Sequence, residues 1–391
     1  MPCSGSGENR MQIAMFGHKR IPSREGGIEI VVEELSVRMA ALGHQITCFN
    51  RGGHHVSGAD YDREQADFYK RVRIRKVLTL DRKGMAAMTA SFSAAVLSAF
   101  GKYDVVHIHA EGPAAMAWLP KMMRKRVVVT VHGLDHQRGK WGRFASAYIR
   151  FGERNAVRFA DEIIVLSRAV QNYFLETYGR KTVFIPNGVC RPDIVDADQI
   201  AAKWNLEKNG YVLYLGRIVP EKGLDYLLEA WEKTVTEKKL VLCGGSSDTD
   251  LYMKELMKKA GDNVIFTGFQ QGRILEELYS NAYLYVLPSD LEGMPLSLLE
   301  AMSYGNCCLT SDIPECADVV EDRAVLFSRG NAEDLREKLQ MLLDRPDLVE
   351  SYRQQAADYV CCKYRWDDVV ERTLKLYEAE GEREYEDSDG Q

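Results

Sequence analysis

The fold is decided by a stretch near the middle of the chain, which reads Tyr211-Val212-Leu213-Tyr214-Leu215-Gly216-Arg217-Ile218-Val219-Pro220-Glu221-Lys222-Gly223. Its first five residues predict a buried β-strand, and the segment with glycine and proline behind them predicts a loop. The next segment, Leu224–Val235, carries apolar residues at helical spacing. Strand, loop and helix in this order form the repeating unit of a parallel sheet covered by helices.

The same unit recurs along most of the sequence. Six earlier strands are predicted at Met11–Phe16, Ile46–Phe49, Asp104–His109, Val127–Val131, Glu162–Leu166 and Thr182–Ile185. Four later ones are predicted at Leu240–Cys243, Asn263–Phe266, Tyr283–Leu287 and Asn306–Thr310. Because the pattern restarts at Tyr211, we expect an α/β fold of two Rossmann-like, doubly wound domains that face each other across a cleft.

The domain boundaries follow from where this pattern stops. Pro186-Asn187-Gly188 and a polar stretch after it predict a joint between Asn187 and Asn209. Beyond Asp344-Arg345-Pro346 the pattern predicts helical structure to about Ala379. The expected parts are a first domain at 11–190, a second domain at 205–362, a final helix at 363–380 that packs back toward the first domain, and a disordered acidic tail at 381–391.

The composition excludes several classes of protein. The 391 residues contain no uninterrupted apolar run of the roughly 18 residues that a transmembrane helix needs. Met1 to Arg10 lack the apolar core of a secretory signal. The nine cysteines show no CxxC or CxxH spacing of a zinc or redox site. We therefore expect a cytoplasmic protein with reduced thiols.

The net charge of −6 is unevenly distributed. Residues 1–191 hold 29 Lys and Arg against 17 Asp and Glu, whereas the remainder holds 22 against 40. A basic first half suits phosphorylated ligands or anionic lipid headgroups, and the acidic remainder argues against nucleic acid as a partner. A solvated surface without any partner is the alternative.

The first loop of interest joins the first strand to a helix that opens near Ile28. Its adjacent glycines, Gly26 and Gly27, let the backbone come close to a ligand, and three cations beside a helix amino terminus favour an anion. The loop lacks GxGxxG spacing, which disfavours nicotinamide and flavin cofactors. A flexible surface loop is the alternative.

Two further loops carry groups suited to ligand chemistry. His132 follows the strand Val127–Val131 and is expected to point into the cleft, where its imidazole can donate to a hydroxyl or share a proton. A packed core histidine is the alternative, and it is the assignment for His107 and His109, inside a strand. Arg217 and Lys222 are five residues apart, so a turn can bring both onto one diphosphate. Two exposed loop cations are the alternative there.

The most specific loop reads Glu292-Gly293-Met294-Pro295-Leu296-Ser297-Leu298-Leu299-Glu300-Ala301-Met302. Pro295 suits the first turn of a helix, and Met294 and Leu296 can offer backbone N–H groups to an anion there. The carboxylate of Glu300 can accept from paired hydroxyls such as those of ribose. In an otherwise apolar helix it would be costly to bury without such a partner.

Taken together, these loops resemble the retaining glycosyltransferases of the two-Rossmann-domain type, GT-B, in family 4 (GT4). The resemblance spans about Met11 to Ala379. Its marks occur in the expected order: Gly26-Gly27, Val131-His132-Gly133, Pro186-Asn187-Gly188, the pair Arg217 and Lys222, and the pair Glu292 and Glu300. Many relatives carry glycine where this chain has Pro295, so one phosphate-binding N–H is lost.

The resemblance implies a role for each loop. Glu300 would bind the ribose of a nucleotide-sugar, and Arg217 and Lys222 its diphosphate. Glu292 would bind hydroxyls of the transferred sugar, and His132 would contact that sugar near the reacting centre.

The remaining donor contacts implied by the resemblance come from backbone. Gly26 and Gly27 would close over the diphosphate, Met294 and Leu296 would present N–H groups, and the backbone around Phe269 would touch the base. No cofactor is implied, because the nucleotide-sugar is a co-substrate. No metal is expected either, since no DxD motif stands in a suitable setting.

The implied reaction is transfer of a hexose or deoxyhexose, from a UDP-sugar in preference, to a saccharide or lipid-linked saccharide. The first loop is also similar to that of enzymes that build bacterial surface polysaccharides. Cations interleave with aromatic residues in Arg138–Phe144 and cluster in Lys121–Arg126, which suggests peripheral contact with the inner face of an anionic membrane.

Two rival functions fit the same cleft. A nucleotide-sugar epimerase of this architecture would also need a diphosphate site, but it has no use for an acceptor surface. A non-catalytic sensor of sugar nucleotides would show no turnover.

Overall fold

The computed structural model describes residues 10–53, 67–80, 82, 85–134, 136, 142–245 and 250–378. The predicted tail at 381–391, most of the segment Met1 to Arg10 and residues 138–141 of the basic aromatic segment lie outside this part of the chain. Within it, no helix is both long enough and apolar enough to cross a membrane.

The first domain is built on an eight-stranded sheet. Its strands are β1 (Gln12–Phe16), β2 (Gln45–Arg51), β3 (Phe68–Tyr69), β4 (Val72–Val77), β5 (Val105–His109), β6 (Arg126–Val131), β7 (Glu162–Val165) and β8 (Val183–Phe184). Its helices are α1 (Gly27–Ala41), α2 (Ala86–Phe100), α3 (Glu111–Ala114), α4 (Trp118–Met122), α5 (Arg143–Phe159) and α6 (Arg168–Tyr178).

Alternating side chains of the central strand β1 explain why helices cover both faces of this sheet. Ile13 and Met15 share one apolar core with Val32 of α1. Ala14 and Phe16 share the other with Ala94 of α2. A strand that is buried on both faces belongs in the middle of a parallel sheet.

The second domain is built on a six-stranded parallel sheet. In chain order its elements are α7 (Gln199–Trp204), β9 (Tyr211–Leu215), α8 (Leu224–Glu232), β10 (Lys239–Cys243), α9 (Asp250–Lys259), β11 (Val264–Gly268), α10 (Arg273–Asn281), β12 (Leu284–Leu287), α11 (Leu296–Ser303), β13 (Cys308–Ser311), α12 (Pro314–Val320), β14 (Val325–Phe327) and α13 (Ala332–Asp344).

The strand order locates the crevice in each domain. The sheets run β3-β4-β2-β1-β5-β6-β7-β8 and β11-β10-β9-β12-β13-β14, and every pair is parallel except β3 with β4. The order reverses between β1 and β5 and again between β9 and β12. Ligands of doubly wound sheets bind at such reversals, at the carboxyl ends of the strands.

The elements that were not predicted include three strands and the helix in the joint between the domains. Strands β3 and β14 have only two and three residues, and β4 alternates cations with apolar residues at the sheet margin. The polar joint contains helix α7, whose Ile200 is fully buried. The carboxylate of Glu277 accepts the backbone N–H groups of Asp198 and Ile200 at 3.0 and 3.1 Å, which anchors the start of that helix to the second domain.

The terminal stretch that the sequence predicts as helical forms two helices, α14 (Pro346–Lys363) and α15 (Trp366–Glu378). The break lies at Tyr364, whose carbonyl accepts the N–H of Val189 at 2.7 Å. Helix α15 then lies against the first domain. Arg38 of α1 donates to Asp367 at 2.7 Å, and the hydroxyl of Tyr377 hydrogen-bonds Nδ1 of His107 at 2.6 Å.

Candidate active site

The loops at the carboxyl ends of the two sheets touch each other. A Cβ placed on Gly293, in the loop after β12, would lie 1.7 Å from the carbonyl oxygen of His132, which follows β6. Only glycine can occupy position 293 in this arrangement. Nearby, a Cβ on Gly27 would lie 3.5 Å from Leu296 at the start of α11. The structure therefore brings together three of the predicted loops, two from the first domain and one from the second.

An ion pair also crosses the cleft between the domains. Nη1 of Arg24, in the glycine loop, donates to Oε1 of Glu300 on α11 at 2.5 Å. The other oxygen of Glu300 accepts from the hydroxyl of Tyr279 at 3.1 Å. Glu300 thus has partners without any ligand. Burial raises the pKa of Tyr279 well above its ordinary value, and the nearby Glu300 carboxylate adds to the rise.

Lys222 and Glu292 are paired with each other. The ammonium of Lys222 contacts Oε1 of Glu292, and both side chains are mostly buried, at 12% and 9% exposure. Ser289 donates to the same oxygen at 2.6 Å. The sequence placed these two residues in one site, but it did not indicate Ser289 or the direct contact.

Backbone geometry fixes the turn that carries Lys222. Residues Pro220–Lys222 form one 3₁₀ turn, and Gly223 follows with φ +68°. A Cβ on Gly223 would lie 2.0 Å from the carbonyl oxygen of Pro288, so the turn packs against the loop before Glu292. This close approach holds Lys222 beside Glu292.

Arg217 lies at the end of β9, and its side chain is half-buried. Its carbonyl accepts from the hydroxyl of Tyr214 at 2.9 Å, which orients the backbone at this point. Within the described part of the chain, its guanidinium makes no ion pair. Unlike Lys222, Arg217 has no carboxylate partner among the described residues, so it can bind an anion without giving up an ion pair with one of them.

His132 is the outermost ring in a row of histidines that reaches into the first domain. Its Nε2 shares a hydrogen bond with Nδ1 of His109 at 3.1 Å. The ring of His107 lies 4.1 Å from that of His109, and His107 is also bonded to Thr130 at 2.7 Å. His107 and His109 therefore support His132 from within strand β5.

Burial keeps the inner rings neutral. It lowers the pKa of His107 to about 3 and that of His109 well below the ordinary value, and neighbouring histidines lower both further. The pKa of His18, beside the first loop, falls to about 4 for the same reason, although its bond to Asn50 opposes the shift. An uncharged imidazole has one donor and one acceptor nitrogen, so the tautomers of His109 and His132 are coupled through the hydrogen bond that they share.

The cations of the first loop are engaged by carboxylates. The fully buried carboxylate of Glu25 lies 3.2 Å from Arg20 and 3.8 Å from Lys19. Gly26 caps α1, which begins at Gly27. Each of the three cations of this loop contacts a carboxylate, Glu25 or Glu300, so an anionic ligand would have to compete with these carboxylates.

The remaining predicted positions lie at the carboxyl edge of the second sheet. Pro295 directly precedes α11, which begins at Leu296. The side-chain amide of Asn187 donates to the carbonyl of Met294 at 3.2 Å, so the joint between the domains contacts this loop. Phe269 follows β11 and is half-buried, two strands away from β9.

One group of side chains in the described residues has the composition of a metal site. Ligand atoms of Glu111, His136 and Glu153 lie within 4.8 Å of one another in the first domain. His136 and Glu153 already pair at 3.2 Å, and Tyr173 donates to Glu153 at 2.8 Å. The expectation of a metal-free enzyme remains a prediction.

Two family models match the chain in succession. Residues 25–190 match the model described as Glycosyltransferase Family 4, and residues 196–359 match Glycosyl transferases group 1. The chain belongs to glycosyltransferase family 4. It is therefore a transferase with the GT-B fold, and the epimerase and sensor alternatives are set aside.

Two curated relatives are similar to this chain over most of their length. The phosphatidyl-myo-inositol mannosyltransferase of Mycobacterium leprae is 26% identical over 370 residues, which cover 90% of this chain and 93% of the relative. The α-D-kanosaminyltransferase of Streptomyces kanamyceticus is 24% identical over 298 residues, which cover 70% of this chain and 76% of the relative.

Solved structures show the same fold. A sucrose-phosphate synthase of Thermosynechococcus elongatus superposes with a TM-score of 0.78 at 21% identity, covering 94% of this chain and 98% of that one. HepE of Anabaena, crystallised with UDP and glucose, gives a TM-score of 0.78 at 16% identity, covering 94% of this chain and 99% of that one.

Proposed function

We propose that this family 4 glycosyltransferase moves a hexose or deoxyhexose from a nucleotide-diphosphate sugar, with UDP-sugars favoured, to a saccharide or lipid-linked saccharide acceptor in bacterial surface polysaccharide synthesis. The observation that carries the donor part is the arrangement of cations at the β9–β12 crevice. Arg217 has no carboxylate partner in the described residues, and Lys222 lies beside Glu292 in the same crevice.

The choice of donor is also supported by the solved relatives. HepE was crystallised with UDP-glucose as well as with UDP and glucose. The carboxylate of Glu300 accepts from Arg24 and Tyr279. Hydroxyl groups of a ligand can take the place of these two donors. A ribose has two adjacent hydroxyls suited to such a carboxylate.

Departure of the nucleoside diphosphate is the step that the protein must assist. The bond between the sugar C1 and the diphosphate oxygen breaks, and negative charge develops on the leaving phosphate. Arg217, Lys222 and the amino terminus of α11 stabilise that charge. With retention, the acceptor oxygen bonds to C1 on the same face, and its proton passes to the leaving phosphate oxygen. No protein nucleophile and no metal take part in this proposal.

A donor panel tests the proposal. A donor that binds only the folded state raises the melting temperature by mass action, so UDP-, GDP-, ADP- and dTDP-sugars are compared by thermal shift. We expect the largest shift in melting temperature with a UDP-sugar. We also expect the enzyme to transfer the sugar to an acceptor mixture in the presence of EDTA, and the product to keep the anomeric configuration of the donor. Inversion of the anomeric centre, or strict dependence on a divalent ion, would refute those parts.

The membrane part of the proposal rests on helix α5. Phe144 and Phe151 are 80% and 51% exposed on this helix, among exposed arginines. Aromatic side chains interleaved with cations are typical of surfaces that contact anionic membranes. At low salt, we expect the unmodified protein to sediment with vesicles that contain phosphatidylglycerol. The double variant Phe144→Ser/Phe151→Ser should remain in solution under the same conditions. Equal behaviour of both proteins would reject the contact.

A further inference from the structure

A basic pocket in the first domain lies outside the donor crevice. Its volume is about 480 Å³, and its lining includes His136, Arg143, Arg150 and Arg154, together with the small residues Ser146 and Ala147. A space of this size can hold a phosphorylated sugar. Among the described lining residues there is no carboxylate.

The three arginines form a row on one helix. They are spaced by seven and four residues on α5, which places them on one side of the helix within about 40° of arc. All three are exposed, and none makes an ion pair with a carboxylate in the described part of the chain. Three like charges repel each other unless an anion lies between them.

The fourth basic group is held in place from behind. Nδ1 of His136 lies 3.2 Å from Oε2 of Glu153, which is fully buried beneath the pocket. Tyr173 donates to the other oxygen of Glu153 at 2.8 Å. The imidazole is thereby fixed at the pocket wall by a carboxylate that does not itself face the ligand space.

The pocket is close to the proposed reaction centre. His136 follows His132 by four residues, so the two Cα atoms are at most about 14 Å apart along an extended chain. His132 touches the loop of Glu292 through Gly293. A sugar unit and its phosphate can span such a distance.

We propose that this pocket binds the phosphate or diphosphate of the acceptor, so that the acceptor is a phosphorylated saccharide. The inference rests on the proposed function, because it assigns the acceptor side of the same reaction. The anion can belong to a soluble sugar phosphate or to a lipid-linked diphosphate saccharide. Guanidinium groups bind both through paired, charge-assisted hydrogen bonds.

Counting bound pyrophosphate by calorimetry tests the pocket. We expect the full-length protein to bind two pyrophosphate ions, one in each site, and Arg150→Gln/Arg154→Gln to bind one. Arg158→Gln, on the same helix but outside the pocket lining, is the matched control and keeps both. The affinity of the pocket should fall at least about tenfold with each guanidinium removed.

The counts separate the two proposals. If the unmodified protein binds one pyrophosphate ion and the double variant binds none, the proposed donor site is contradicted and the proposed pocket is supported. One ion on each would overturn the pocket. Loss of vesicle binding in the double variant, with pyrophosphate binding unchanged, would also overturn it in favour of a plain membrane contact.

The source of the anion is resolved by competition at the same site. Glucose 1-phosphate and a micellar alkyl diphosphate are each added to the pyrophosphate complex. Displacement by the first supports a soluble acceptor, and displacement by the second alone supports a lipid-linked one. Displacement by neither overturns the assignment to an acceptor phosphate.

Discussion

Arg24 and Glu300 are 276 residues apart and join the two domains through a contact of 2.5 Å. Each oxygen of the Glu300 carboxylate has one donor, Arg24 on one side and Tyr279 on the other. In the proposed function this carboxylate binds the ribose. The contact between the two domains therefore uses a group that the donor also needs.

We expect Arg24→Gln to strengthen the binding of UDP by about twofold to fivefold, because it removes a competitor for Glu300. The contact is partly exposed and is worth at most about 1 kcal/mol. Glu300→Gln should weaken UDP binding by about tenfold or more, since a charged acceptor of the ribose hydroxyls is lost. Calorimetric titration measures both. Weaker binding in both variants would show that Arg24 itself contacts the nucleotide.

Removal of Lys222 should affect stability and turnover separately. Lys222→Met leaves Glu292 mostly buried and without its cation, which costs on the order of 3 kcal/mol in the free energy of unfolding. Turnover should fall by about two orders of magnitude or more. In Lys222→Met/Glu292→Gln most of the stability should return while turnover stays low. Denaturant unfolding and a transfer assay check these outcomes, and recovery of activity in the double variant would contradict the role of Lys222.

Gly293→Ala should open the cleft without unfolding either domain. The added methyl group would lie 1.7 Å from the carbonyl oxygen of His132, and backbone of the opposite domain can move away only as a whole. We expect a larger radius of gyration by small-angle scattering and a loss of transfer activity, with a melting temperature within a few degrees. Gly261→Ala, where the nearest atom would be 3.5 Å away, is the control. Unchanged scattering in Gly293→Ala would contradict the contact.

Acid should destabilise the first domain through its buried histidines. Burial lowers the pKa of His107 to about 3 and that of His18 to about 4, whereas both titrate near 6.5 in the unfolded chain. The unfolded state then binds more protons below about pH 6.5, so the free energy of unfolding falls as the pH drops toward 4. Each ring contributes up to about 1.4 kcal/mol per pH unit. Urea unfolding at pH 8, 6 and 5 measures how the free energy of unfolding changes with pH. In His107→Gln, the number of protons taken up on unfolding should be smaller by one.

The local sequence was sufficient to predict the parallel sheets and the loops that carry the candidate site residues. Strands buried on both faces, such as Val127–Val131, are continuous apolar runs, and loops follow them directly. Contacts between the domains could not be predicted in this way. Nothing near Arg24 indicates Glu300, and nothing near Gly188 indicates that Trp366 packs against it. Such pairings depend on how the domains face each other, which has no local signal.

The position at which the terminal helical stretch breaks has no local signal for the same reason. Residues Pro346–Lys363 and Trp366–Glu378 are both helical, and the two residues between them carry no proline or glycine. The chain turns there because the carbonyl of Tyr364 accepts from Val189, a partner distant in sequence. A long-range hydrogen bond ends the helix where its own composition would allow it to continue.

The return of helix α15 to the first domain affects the order of events during synthesis. The hydroxyl of Tyr377 hydrogen-bonds His107, and the ribosome adds His107 to the chain 270 residues before Tyr377. At about 5–20 residues per second, the ribosome needs roughly 10–40 s after finishing the first sheet before this helix is available. Until then helix α15 does not cover the apolar surface along α1 in the first domain of the nascent chain. Chaperones that recognise exposed apolar surface have their longest opportunity to bind it in that interval.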